Sequence, residues 1–538
     1  MRIDTQWVRL AADKRGEDHL AVQAPSVALY SQLLPGISNV TDRARYYSFY
    51  PWLLWNLKRR PSLALTPLQV VRRGECLFTL IASRHAEKLS QDEALHGVAM
   101  VGRNTLMAPQ RELESGGHLD LLPYAALEGE HPKRYFKNRY GGLGQYYLGP
   151  LRELGVLAGD SSKGPQFTTE RGGPLAENME AGADSNAFFS VLEAGSVDEA
   201  TLDALADFCP CRLPASTREH TALLELFFDR KQVHGETGRW RRNSLALLLD
   251  LLSQLQPKEN PQALFRAAVY AGSVHDGKTW SLPQELEATR QAWAVYQRSE
   301  LLSVAVQGVF WVALRLVGKG MRVQGSAAVA QRVRELAREV LEARASLPFS
   351  QAVAAKRLEL PDLVDWRATE HEQSLATAME DAVRRGETEK VLAQSLQVMV
   401  ALATRDESHG DPYRGFLPSD YFRAYGINLW EFRRCAREVW SSLSLEELAG
   451  WLAARWGVET HLRVALRKLH QDSQDTFLVR PMDGALHVVS EAPPPGFTSP
   501  RLRTALRMLI DLGLVALGEH GSLSVTPDGQ KMLEELHG

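Results

Sequence analysis

Apolar side chains recur along most of this chain at three- and four-residue intervals, the spacing of one face of an α-helix. Leu68, Val71, Cys76, Leu77, Leu80 and Ile81 approximate such a face, with Arg72, Arg73, Glu75 and Arg84 on the polar side. Leu245 to Leu255 reads as a strongly apolar helix, and Ser350 to Val400 continues helical. Gln331 to Arg344 alternates in charge sign, which predicts an exposed helix. Runs that suit strands are short. They lie at Val156-Leu157, Gln166 to Thr168, Leu514 to Leu517 and Leu523 to Thr526. Another pair, Thr476 to Pro481 with Ala485 to Val489, suits a hairpin turning at Asp483-Gly484. The longest apolar run, Leu301 to Val317, contains Gln307 and Arg315. It falls short of the ~20 residues that span a bilayer, so a buried helix is expected and no membrane partner. The pattern predicts a mainly α protein.

Two segments repeat one order of elements. In the first, Tyr147, Leu148, Leu151 and Leu154 keep helical spacing, Gly155 ends the helix, and two short strands flank a turn at Asp160 to Gly164. Thr169 or Glu170 then opens another helix. In the second, Leu502, Leu506, Leu509, Ile510 and Leu512 form the stripe and Gly513 ends the helix. A hairpin around Glu519-His520-Gly521 follows, and Pro527-Asp528-Gly529 opens the last helix. LRELGVLAG…FTTERGGPLAE and LIDLGLVALG…LSVTPDGQKMLEE align with nearly equal spacing, as two copies of one module would. Both resemble the winged-helix units common in bacterial DNA-binding proteins. The expected organisation is a helical domain over 1–130, a winged-helix-like module over 131–183 and a helical middle domain over 197–345. A further helical domain over 346–475 and a C-terminal winged-helix-like module over 476–538 complete it. Asp184 to Ser196 reads as a linker.

In the DNA-reading mode of that fold, the helix before the hairpin enters the major groove and basic wing residues touch phosphates. The candidates in the first copy are Arg134, Lys137 and Arg139 before the helix, with Lys133 beside them, and Lys163 in the wing. In the second they are Arg503 and Arg507, four apart on one face, with Arg501 near the helix start. Arg241 and Arg242 belong to a basic stretch with Arg230, Lys231, Arg239, His234 and Trp240. Cations around an aromatic suit nucleic acid, although a solvated loop explains such a run as well.

The densest aromatic stretch is Leu33 to Leu57, LLPGISNVTDRARYYSFYPWLLWNL. Pro35-Gly36 breaks the chain, and Thr41 or Asp42 is placed to cap a helix. Six aromatic residues between Tyr46 and Trp55 require burial. Arg43 and Arg45 then sit at the edge of an apolar cluster and need a carboxylate, a carbonyl or a phosphate. They are either structural ion-pair partners or contacts to a nucleic-acid or nucleotide phosphate. Lys58-Arg59-Arg60-Pro61 closes the helix, with cations complementing its dipole. The residues Pro35, Gly36, Arg43, Ala44, Arg45, Tyr46, Tyr47, Phe49, Pro51 and Trp52 carry a further resemblance. They are similar to an N-terminal signature of bacterial proteins encoded beside helicases and nucleases in phage-defence islands. That resemblance implies a role in a multi-gene defence system and brings no catalytic residues with it.

Bulk properties bound these readings. The chain has 538 residues, a net charge of -3 and four cysteines. A globally basic nucleic-acid coat is excluded, while a local basic face is not. Cys76, Cys209, Cys211 and Cys435 read as reduced thiols of a cytoplasmic protein, and the opening residues lack the apolar core of a secretory signal. Cys209-Pro210-Cys211 is not a zinc motif without a second pair. His85 and His96 have no standard ligand spacing, and Glu370-His371-Glu372 lacks the second histidine of HExxH. No phosphate-binding loop and no nucleophile elbow is present in the sequence. No metal, cofactor or catalytic residue is therefore expected. The expected function is a DNA-binding or adaptor subunit of an anti-phage complex, contacting phosphates non-specifically beside an ATPase, helicase or nuclease partner. The alternatives are a protein-docking scaffold without DNA contact, a winged-helix transcriptional regulator, and an enzyme with an unfamiliar site around Arg43 and Arg45.

Overall fold

A computed structural model of the chain describes residues 17–89, 93–113, 117–127, 131–159, 164–256, 259–275, 278–360, 362–363, 371–408, 425–472, 475–518 and 521–537. The fold is mainly α: the described residues form 22 helices, with 66% helix and 7% strand. The described residues fall into two compact units, each assembled from separated pieces of chain. One draws on Ser31–Phe265, Leu282–Thr289 and Ser499–Gly538. The other draws on Met1–Tyr30, Arg266–Ser281 and Arg290–Thr498. This division cuts across the five consecutive stretches expected from the sequence.

In the first of these units the aromatic helix Tyr46–Arg59 is buried from Tyr46 through Asn56. Burial follows from the rings themselves: Tyr46 stacks on Tyr50, Phe49 on Phe78, and Trp52 meets Phe188 edge-on. The tips of Tyr46, Tyr47, Tyr50 and Trp52 all find partners. Tyr47 Oη donates to the Gly36 carbonyl at 2.8 Å and Trp52 Nε1 to Glu180 at 2.7 Å. Tyr46 Oη accepts from the Val101 amide. Gly36 is needed where it stands: its φ is +76°, and a Cβ there would lie 2.3 Å from Leu154. The helix starts later than expected. Neither Thr41 nor Asp42 caps it; Thr41 Oγ1 accepts from Ser38 N and Asp42 accepts from Thr504 Oγ1. Lys58 and Arg59 do occupy its last turn.

The helix Pro67–Leu89 shows a second departure. Arg72 and Glu75, expected on a polar face, are buried. Arg72 donates to the carbonyls of Ala125, Phe136 and Asn138. Glu75 accepts from Tyr50, Tyr135 and the amides of Gly142 and Leu143. A helix covered on all sides buries its polar face, and only saturated hydrogen bonding makes that tolerable. The expected linker is also a helix, Ser185–Ala194, capped by the Asp184 carboxylate and buried through Phe188 and Phe189.

The two helix–hairpin–helix segments match bond for bond. Gly155 and Gly513 have φ of +67° and +69°. Val156 N and Leu514 N reach back to Leu151 O and Leu509 O. Thr168 Oγ1 donates to Gly155 O and Thr526 Oγ1 to Gly513 O, both at 2.7 Å. The strands pair antiparallel as Leu157–Ala158 with Gln166–Phe167, and Val515–Leu517 with Leu523–Val525. The helices that follow are Gly172–Glu180 and Pro527–His537.

In the other unit the hairpin Val479–Met482 and Ala485–Val488 forms as expected, with positive φ at Asp483 and Gly484. Its third strand is Arg322–Val323. The hairpin therefore belongs with residues 290–498, and the expected module over 476–538 is divided between the units. His371 caps the helix Glu372–Arg385, and Glu372 is buried between Arg405 and Tyr270. Trp440, Trp451 and Trp456 pack edge-on in one cluster. The sequence predicts a second aromatic region over Arg414 to Leu445 that Trp451 and Trp456 continue; its Tyr421 and Phe422 lie outside the described residues. Among the described residues the helix Gln284–Val317 is long and apolar enough to cross a membrane, and 83% of its apolar window is buried.

Candidate metal centre

Four side chains that form two unrelated pairs in the sequence converge in one place. His85 sits in the last turns of Pro67–Leu89, and His96 follows the short turn Glu93–Leu95. Cys209 and Cys211 flank Pro210 at the start of a 3-10 turn, Pro210–Ala215. One ligand atom from each of the four lies within 4.8 Å of all the others. His96 Nδ1 is 3.2 Å from Cys209 Sγ, and His85 Nδ1 is 3.3 Å from Cys211 Sγ. His85, His96 and Cys209 are buried and Cys211 is half-buried. The expectation of no metal site rests on spacing along the chain. Spacing does not register that 113 and 126 residues separate the partners that meet.

The thiols are inequivalent. Burial pushes the Cys209 thiol up, whereas a hydrogen bond from Cys209 brings Cys211 down, with Arg212, Arg45 and Arg43 adding to it. Burial, and then the nearby Arg212, lower the His85 imidazole. Neutral imidazole and a thiolate are the forms in which these residues bind metal.

The aromatic stretch supplies the surroundings. Arg43 donates to the carbonyls of Leu95, His96 and Val98 at 2.9–3.0 Å, and its Nε pairs with Asp511 at 3.0 Å. Arg45 donates to the carbonyls of Asp207 and Cys209 at 2.6 and 2.7 Å and clasps Glu219 with two bonds. Arg43 thus holds the loop that carries His96, and Arg45 the loop that carries Cys209. Of the two sequence readings of these arginines, the structure has the ion pairs. Both guanidinium groups are buried and bonded to carboxylates and carbonyls, the pattern of structural ion pairs.

The cations expected to meet nucleic acid are distributed unevenly. Lys137 and Arg139 are exposed, with Lys133, and form no ion pair among the described residues; Arg134 is half-buried. Lys163 lies outside the described residues. Arg241 and Arg242 are not loop residues but part of the helix Gly235–Ser253, and both are buried. Arg241 donates to the carbonyls of Phe227 and Leu226, and Arg242 to Asp229 O and Glu285. Helix formation swings them inward, so as surface contacts they are withdrawn. Arg507 donates to Ala94 O, Arg501 to Leu34 O and Ser31, and the exposed Arg503 to Asp42. Each of the three thus bonds to residues of the same unit, while Arg503 stays exposed.

Scans of family models, curated proteins and solved structures find no match to this chain.

Proposed function

We propose that the protein is a cytoplasmic DNA-binding or adaptor subunit of a bacterial anti-phage complex, acting beside an ATPase, helicase or nuclease partner. In this reading residues 131–183 act as a winged helix and bear the DNA contact. The observation that carries it is the exposed run Lys133, Lys137 and Arg139, ahead of the helix that such a module presents to a duplex. The signature Pro35 to Trp52 supports the defence context. Contact through these residues would be to phosphates, without base readout, and steeply weakened by salt.

The test is anisotropy with duplex and single-stranded DNA across a salt series. Replacing Lys137 and Arg139 together by Glu should weaken binding about tenfold or more and lower the salt slope by about 2, since each phosphate contact contributes about 0.9. Binding that ignores salt, or no binding at all, removes the DNA reading.

A second reading has its own observation. Arg501, Arg503 and Arg507 of the last module all bond within their unit, which suits a hairpin-bearing module that docks protein. Affinity for a co-purifying ATPase or nuclease subunit with no affinity for DNA would favour that scaffold.

A further inference from the structure

The cluster His85, His96, Cys209 and Cys211 has the composition and the enclosure of a structural metal site. Two thiolates and two imidazoles are the donor set of closed tetrahedral zinc sites, in which protein atoms fill all four positions. Zinc bond lengths place neighbouring ligand atoms about 3.3–3.8 Å apart. The two sulfur–nitrogen distances across the His96–Cys209 and His85–Cys211 pairs, 3.2 and 3.3 Å, lie at or just below the short end of that range, and no pair of ligand atoms exceeds 4.8 Å. Small side-chain shifts therefore complete the tetrahedron. Each sulfur lies beside a histidine nitrogen rather than beside the other sulfur alone. A two-iron cluster would need the sulfur pair on one iron and the nitrogen pair on the other, set apart. Charge also balances. Two thiolates neutralise one divalent ion, so the buried assembly carries no net charge to desolvate.

We propose that these four residues bind one Zn2+ ion as a structural site, and that Arg43 and Arg45 are positioning residues for its ligand loops. Metal binding displaces the remaining thiol protons to solvent, at most two per ion. The ion ties the end of the helix Pro67–Leu89 to the short 3-10 turns Glu93–Leu95, Ala206–Phe208 and Pro210–Ala215 and the residues beside them. Arg43 fixes the first segment through three carbonyls, and Arg45 fixes the second through two. The arginines of the aromatic signature thereby shape a metal pocket from behind.

The experiment uses the full chain. Produced in zinc-replete medium, it should carry about one zinc per chain by elemental analysis, retained through gel filtration. After exchange for cobalt it should show visible bands of tetrahedral intensity and a near-ultraviolet thiolate-to-cobalt band. Cys211→Ser should lose about half of the charge-transfer intensity, one thiolate of two remaining, and bind zinc far more weakly. If that variant does not fold, the cobalt spectrum of the native chain still decides. Zinc below a tenth of an equivalent, an octahedral cobalt spectrum, bound iron or a Cys209–Cys211 disulfide in freshly prepared protein would each overturn the site. Arg43→Lys and Arg45→Lys keep the charge but lose the forked geometry. They should weaken zinc affinity about 10–100-fold, the usual effect of altering residues behind a ligand shell. Unchanged zinc affinity in a folded lysine variant would remove the positioning role while leaving the zinc site standing.

Discussion

Buried polar side chains are where the residues of this chain and its hydrophobic pattern part company. Six aromatic residues between Tyr46 and Trp55 dictate their own burial, so the neighbourhood of Arg43 and Arg45 was legible. Their partners were not, because Asp511 and Glu219 lie 468 and 174 residues away. Arg241 was misplaced for a related reason: its charge says surface, and only the carbonyls exposed at the end of a neighbouring helix say otherwise. His461 illustrates how such a residue governs stability. Its Nδ1 faces the His19 carbonyl at 3.2 Å, so Nδ1 carries the proton and Nε2 accepts from the Leu478 amide at 2.8 Å. Burial lowers the imidazole to about 4 from its ordinary 6.5. A depressed histidine contributes its full stability above the unfolded value and loses it as protonation begins. Stability should therefore fall from pH 6.5 down to about 4 through this group, by on the order of 3 kcal/mol in all. Urea midpoints across that range check it. His461→Gln, which cannot titrate, should flatten this part of the profile, and an unchanged acid limb would show that other groups produce it.

Among elements, local grammar was readable and tertiary context was not. Both hairpins flanked by helices were legible because glycine, a short apolar pair, turn residues and threonine are consecutive in sequence. The stretch Asp184 to Ser196 has the composition of a linker but is a helix, because Phe188 and Phe189 hold it against Trp52, a partner over a hundred residues earlier. The shared threonine gives the hairpin segments a common lock. Thr526 Oγ1 donates to Gly513 O at 2.7 Å and accepts from Gly529 N at 3.1 Å, joining the end of one helix to the start of the next. Thr526→Val preserves shape and removes both bonds. It should lower stability by about 1–2 kcal/mol, in the range of a lost helix cap. Thr526→Ser should retain most of it. Hydrogen exchange supplies the local reading: amides of Pro527–His537 should exchange faster in the valine variant than in the serine variant. Equal exchange in the two would assign the helix start to packing alone.

For the molecule as a whole, the mainly helical class was visible in the three- and four-residue spacing, but the order of assembly was not. A chain that returns to complete an earlier unit leaves no mark in local periodicity. Residues 476–538 read as a terminal module, yet those from Ser499 onward supply parts that residues 31–265 lack. Asp511 accepts from Arg43 Nε and the Ala44 amide, and the Leu512 carbonyl faces His220 at 2.8 Å. Glu535 reaches Arg230 and His537 reaches Asp250, both at 3.3 Å. Ending the chain at Thr498 would leave Arg43 buried without its carboxylate. That omission alone costs about 3–5 kcal/mol, a large part of the 5–15 kcal/mol that holds a typical domain. The truncated chain should therefore lose protease resistance across residues 31–265, far from the deleted segment in sequence. Asp511→Ala in the full chain should reproduce part of that loss, and the segment 499–538 added separately should restore resistance. An independent terminal domain makes the opposite demand. The shortened protein would digest as before and the freed segment would melt by itself, and the carboxylate that answers Arg43 would then have to come from somewhere other than the end of the chain.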